Sequence, residues 1–149
     1  MTAANDNAPD LFMLELFKTE VETHAATLES GLVLIEDDQS GKMIEPLMRA
    51  AHSIKGAARI VGLESAVSLA HAMEDVFVAV QNGEYRLSSN QIDVLIGCND
   101  VFSDLYRLKP EAMPAAVQQQ ASTVDDYIAR LQAFSGQETD VFSGNGEEE

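Results

Sequence analysis

The chain has 149 residues, with 25 acidic and 9 basic side chains and a formal net charge of −16. That length suits one domain with a real core, and charge of that sign disfavours nucleic acid and anionic membrane surfaces as partners. No apolar run approaches the roughly 18 residues a membrane-spanning helix needs, no signal-peptide pattern heads the chain, and the single cysteine excludes an intrachain disulfide or a cysteine-cluster metal site, so the expected setting is cytoplasmic.

The pattern is helical almost throughout. After a small, polar start over residues 1–9, read as flexible, Asp10 is placed to cap a first helix. Its apolar residues step by three or four: Leu11, Leu14, Phe17, Val21, Ala25, Leu28, Leu32 and Ile35. His24 falls within that stripe as a partly buried packing residue. Residues 37–41, Asp-Asp-Gln-Ser-Gly, read as a turn. A second helix runs from about Lys42 to Val61, with Gly62 placed to end it. A third, from about Glu64 to Gln81, buries Ala66, Ala70, Met73, Phe77 and Val80, and Asn82-Gly83 closes it. Ser88 or Ser89 caps a fourth that buries Ile92, Leu95, Ile96, Phe102 and Leu105 and is stopped by Pro110. Pro114 suits the first turn of a fifth, with Val117, Ala121, Val124, Ile128 and Leu131 as its stripe. Cys98 reads as a small core residue.

No alternating strand pattern competes. The short connections favour an all-α, antiparallel up-down bundle of four core helices with one additional helix alongside. The bundle is expected over residues 10–134. Residues 135–149, rich in Gly, Ser and Glu, read as a disordered tail or the start of a linker, with Val141-Phe142 as a docking stub or residual linker.

One segment departs from ordinary helix design. On a helical wheel the second helix gathers Ile44, Leu47, Ala51, Ile54, Ala58 and Val61 on one face. His52 falls about 125° from the centre of that stripe, with Arg59 close to it. Gly56 lies four residues on, where a side chain would normally shelter the imidazole. Glycine there costs roughly 1 kcal/mol of helix stability relative to alanine, so access of a partner to His52 is a candidate reason for it. Arg49, Lys55 and Arg59 add a positive island to an acidic chain, suited to phosphate or an acidic partner surface. An idle surface histidine on a basic helix face is the bland alternative.

On the third helix, Glu74 sits at the edge of the apolar stripe beside His71. If the two helices are antiparallel neighbours, Glu74 faces the His52 region. A carboxylate that accepts the Nδ1 proton fixes the tautomer and leaves the Nε2 lone pair outward, which equips histidine to accept a phosphoryl group. Metal binding fails on spacing, because no Glu-x-x-His pair exists. No phosphate-binding glycine loop is present, so neither ATP nor any other cofactor is expected to bind this chain.

The run Leu47-Met48-Arg49-Ala50-Ala51-His52-Ser53-Ile54-Lys55-Gly56-Ala57-Ala58 resembles the phosphorylation motif of histidine phosphotransfer (HPt) domains. More narrowly it resembles the N-terminal phosphotransfer domain of CheA-type histidine kinases. The likeness extends through Gly62 and His71-Ala72-Met73-Glu74 to Asn82-Gly83-Glu84, and with the flanking helices covers roughly residues 10 to 108. Lys-Gly-Ala-Ala-Arg-Ile-Val-Gly looks closest to hybrid kinases of Wsp-type pathways that feed cyclic-di-GMP enzymes. The resemblance implies His52 as phosphoacceptor, Lys55 beside the phosphoryl site, Glu74 as the imidazole's hydrogen-bond partner and His71 in the same network. It further implies Gly56 as the small residue admitting a partner; Arg49 and Arg59, members of the basic island, are expected on the docking surface. ATP and Mg²⁺ would be supplied by partner domains: a kinase catalytic domain as donor and a response-regulator receiver as acceptor. A stand-alone relay protein instead of a kinase fragment, and a helical adaptor that binds such domains without chemistry, are the competing readings.

Overall fold

The computed structural model describes residues 10–136. Six helices follow in order: α1 Leu11–Leu34, α2 Gly41–Ile60, α3 Glu64–Gln81, α4 Ser89–Tyr106, α5 Met113–Gln119 and α6 Ala121–Gln132, with a 3₁₀ turn at Pro110–Ala112 before α5. Among the described residues there is no strand, and no helix is long and apolar enough to cross a membrane.

The caps follow local chemistry. Phe12 N–H donates to Asp10 Oδ1 at 3.0 Å, which satisfies one of the unpaired donors at the start of α1. Ser88, not Ser89, caps α4, through a reciprocal capping box with Gln91. The Ser89 hydroxyl instead donates to Glu36 Oε1 at 2.9 Å. Gly62 and Gly83 follow α2 and α3 with φ of +71° and +79°, a left-handed conformation that glycine adopts without a Cβ penalty.

The short turns make consecutive helices antiparallel. α2 packs most extensively on α3, and α1 packs on both α2 and α4. Phe77, Phe102, Leu28, Leu32, Leu47, Ile54, Leu69 and Met73 fill the shared core. Of the expected stripe residues, Leu11 is 49 % exposed and Ile96 only half-buried; the remaining positions expected in α1, α3 and α4 are buried. Polar contacts also tie the elements of the bundle together. The Gln39 side chain accepts from Leu87 N–H and donates to Leu87 O, both at 2.8 Å, joining the α1–α2 and α3–α4 connections. Asn99, buried on α4, donates to Ala25 O of α1 at 3.0 Å.

The fifth helix expected from the sequence is two helices. At Gln120 the backbone adopts φ −89°, ψ 1°, outside the helical range, and the chain turns between α5 and α6. α5 buries Met113 and Val117, while α6 buries Val124 and Leu131 and leaves Ala121 and Ile128 half-buried. α6 packs on α3 and also on α4, and direct contact between α3 and α4 is slight. A single straight helix has one continuous stripe, and the break at Gln120 lets each half follow its own neighbours.

Phe134 is buried, and Phe134, Ser135 and Gly136 are helical. The flexible start expected at residues 1–9, and the rest of the expected tail with Val141-Phe142, lie outside the described residues. Cys98 is fully buried in α4, and burial pushes its thiol pKa up to about 12, so it remains a protonated, inert core residue.

Candidate functional site

The core stripe of α2 fixes what its other face presents. Burying Ile44, Leu47, Ala51, Ile54 and Ala58 turns His52, Gly56 and Arg59 outward. His52 and Glu74 each lie roughly two to three turns from the connection between α2 and α3, so the antiparallel pair brings them level. Nδ1 of His52 and Oε2 of Glu74 are 2.8 Å apart. The imidazole is 65 % exposed and the carboxylate 16 %.

Glu74 is held ionised. Burial is the largest single influence and would raise its pKa, but the contacts and charges of Lys55 and His52 together outweigh it and leave the carboxyl below its ordinary value. An ionised carboxylate only accepts hydrogen bonds, so the proton between the two groups belongs to Nδ1. The neutral ring then keeps its lone pair on Nε2, which has no partner among the described residues.

Lys55 is engaged with the same carboxylate. Its side chain is 15 % exposed, and Nζ meets Glu74 Oε1 at 2.8 Å as an ion pair outside hydrogen-bond angles. The two oxygens of one carboxylate thus hold two side chains of α2. His71, expected in the same network, is elsewhere: its Nε2 faces Asp75 one turn along α3 at 3.5 Å, and both groups are exposed. Among the described residues His71 makes no contact with Glu74, and its acceptor lies on the outer face of its own helix.

Arg49 is exposed and paired with Glu45 of its own helix at 2.7 Å. Arg59 is exposed in the last turn of α2 and makes no ion pair among the described residues. His24 lies on α1, with its Nε2 3.3 Å from Glu20 and its side chain 25 % exposed, as expected of a partly buried packing residue. At Gly56 an added Cβ would meet nothing within 4 Å. Packing within the chain therefore does not require glycine there. Among the described residues no cluster of three or more His, Cys, Asp or Glu side chains could hold a metal ion.

The sequence reading missed an apolar groove beside this polar ridge. α1 contributes Met13, Leu16 and Phe17, and α2 contributes Ser53, Ala57 and Ile60. Leu16 is 47 % exposed and Ile60 70 %. Both lie off their helices' core stripes, which was visible in the sequence. Single exposed apolar residues are common, however, and only the packing of α1 on α2 makes these two neighbours.

The Hpt domain family matches residues 13–134. The chemotaxis protein CheA of Listeria monocytogenes serovar 1/2a is 29 % identical over 135 residues, spanning 87 % of this chain and 21 % of that protein. CheA of Rhizobium meliloti is 36 % identical over 92 residues, 61 % of this chain and 12 % of that protein. The gliding motility regulatory protein of Myxococcus xanthus is 32 % identical over 93 residues, 62 % of this chain and 12 % of that protein. The chain thus spans about a fifth or less of these relatives. In fold it is similar to the phosphorylated P1 domain of CheA3 from R. sphaeroides, solved in complex with CheY6, with a TM-score of 0.70, 19 % identity, and coverage of 87 % of this chain and 99 % of that one. From the family match and the helical bundle that carries His52, the chain belongs to the Hpt domain family, the histidine phosphotransfer modules of two-component systems.

Proposed function

We propose that His52 is the phosphoacceptor of this module and that a larger CheA-type kinase is its parent. The observation that supports this is the exposed imidazole whose Nδ1 proton is held by the ionised Glu74, leaving Nε2 as the nucleophile. The Nε2 lone pair attacks the γ-phosphorus of ATP, presented with Mg²⁺ by a separate kinase catalytic domain. A P–N bond forms, the bond to the bridging oxygen breaks, and ADP leaves. The ring now carries a positive charge because Nδ1 keeps its proton. The Glu74 carboxylate offsets that charge, and Lys55 holds Glu74 in place. The cationic ring remains a good leaving group when an aspartate of a receiver domain takes the phosphoryl group. Dependence on ATP places this chemistry in the cytoplasm.

The receiver docks over α2 and the α1–α2 groove, with Arg49 and Arg59 meeting an acidic surface and Leu16 and Ile60 an apolar one. An Ile60→Asp chain is expected to pass its phosphoryl group to the receiver about tenfold more slowly or worse, with its thermal melt little changed because Ile60 is already exposed. Stopped-flow transfer from purified phosphorylated protein checks this, and an unchanged rate removes the groove from the interface.

Gly56→Ala separates stability from access. The folded chain is expected to gain about 0.5–1 kcal/mol, since alanine favours the helix and its Cβ meets nothing within 4 Å. Labelling and transfer are expected to slow, because the new methyl stands in the partner's approach to His52. Denaturant titration and labelling kinetics on one preparation check both halves.

The assignment as a whole is tested by incubating the chain with Mg²⁺-ATP, with and without a panel of histidine-kinase catalytic domains, and mapping acid-labile phosphate by mass spectrometry. Phosphate on His52 only when a catalytic domain is present is the expected result. Folded protein that no kinase labels, yet that still binds a receiver, would make this chain an adaptor.

A further inference from the structure

The turn that ends α3 carries chemistry the phosphotransfer reading does not use. Six asparagines occur in the chain, and only Asn82 and Asn145 precede glycine. A glycine on the C-terminal side leaves the next backbone nitrogen unshielded, so it can reach the asparagine side chain. Asn82 and Gly83 are both exposed. Nothing lies within 4 Å of where a Cβ of Gly83 would be, so no neighbouring group blocks a reaction at this turn.

The backbone, however, holds the pair in an unreactive arrangement. Asn82 is the last residue of the helix cap, with φ −79° and ψ 1°. Gly83 N–H donates to Val80 O at 3.0 Å and Glu84 N–H to Ala79 O at 2.9 Å, the two bonds of a Schellman cap. The nitrogen that would attack is thus engaged as a donor. Ring closure also requires Asn82 ψ to rotate far from its observed value, which breaks both bonds. Downstream, the Leu87 backbone is pinned by Gln39 at 2.8 Å through both its N–H and its C=O, which further restrains the turn.

We propose that Asn82 is a site of spontaneous covalent modification, deamidation to aspartate and isoaspartate, and that opening of the α3 C-cap gates it. In the open turn, the Gly83 backbone nitrogen loses its proton to solvent base and attacks Asn82 Cγ. The N–Cγ bond forms, the Cγ–Nδ2 bond breaks, and Nδ2 leaves as ammonia. Water then opens the resulting five-membered imide at either carbonyl. One product is aspartate. The other is isoaspartate, in which the main chain runs through the former side-chain carbon and is longer by one methylene.

Either product bears on the bundle. A carboxylate at the C-terminal end of α3 faces the negative end of the helix dipole, beside the exposed Glu84. The extra methylene of isoaspartate also moves the Gly83 and Glu84 donors off their acceptors. Glu74 lies two turns earlier in the same helix, so His52 chemistry is expected to survive while the α3–α4 turn loosens.

The test incubates the full chain in mildly alkaline buffer, and in parallel in enough urea to unfold it, and follows the Asn82 and Asn145 peptides by mass spectrometry. Separation of the isoaspartyl form identifies the imide route. In urea both sites are expected to react at comparable rates. In the folded protein Asn82 is expected to react between about tenfold and about a thousandfold more slowly than in urea, the range set by local opening of a helix end. Equal rates at Asn82 in both conditions would show that the cap is not the gate. An absence of product in urea, or suppression beyond about a thousandfold in the folded chain, would show that Asn82 is not a modification site of this protein.

Discussion

A His52→Gln chain is expected to take up no phosphoryl group from any kinase that labels the parent, while keeping its fold. His52 is 65 % exposed and contributes nothing to the core. Among the described residues its polar contact is with Glu74, whose other oxygen remains paired with Lys55 after the change. A glutamine amide at that position can still donate toward Glu74, but an amide nitrogen has no lone pair able to form a stable phosphoryl bond. The stability change is therefore expected to stay within about 1 kcal/mol, a shift of a few degrees at most in the thermal melt. Labelling and melting on the same preparation make the test. Retained labelling would move the phosphoacceptor to another residue, and a collapsed melt would mean that His52 supports the fold.

Replacing Glu74 is expected to have the next largest effect. Glu74→Ala removes the acceptor that keeps the proton on Nδ1, the charge that offsets the phosphorylated ring, and the counterion of the largely buried Lys55. Carboxylates that orient metal-bound histidines are typically worth about 10–100-fold, and by the same orienting role labelling is expected to slow by a comparable factor. Unchanged labelling would sink the role assigned to the carboxylate. Glu74→Gln isolates the charge. Because the folded state lowers the Glu74 pKa, that state binds the proton less readily than the unfolded chain does. The stability this contributes is complete above the ordinary carboxylate value of 4.5. It is lost as pH falls through the lower folded value. The parent should therefore lose stability more steeply on acidification than Glu74→Gln does. Thermal melts taken across the acid range should show the two curves converging as Glu74 protonates. Parallel curves would mean that Glu74 and its partners contribute no pH-dependent stability.

The sequence by itself determined a good deal. Apolar spacing set the first four helices and the inward face of each one, because the helical period ties residue number to direction around a single axis. Asp10, Gly62 and Gly83 marked helix ends because capping is a local event. His52 was legible for the same reason: its angle from the α2 stripe and the glycine four residues on are properties of one helix. What lies between helices needed tertiary structure. A wheel fixes the phase of each helix but not how far one is rotated or offset against the next, so the 2.8 Å contact of His52 with Glu74 was an expectation conditional on antiparallel packing. The choice of partner by a long or rotatable side chain depends on competition among the groups that packing brings near. Lys55 pairs with Glu74, and His71 with Asp75. The break at Gln120 and the Leu16–Ile60 groove arose in the same way, from surfaces that exist only once α6 meets α3 and α4 and once α1 meets α2.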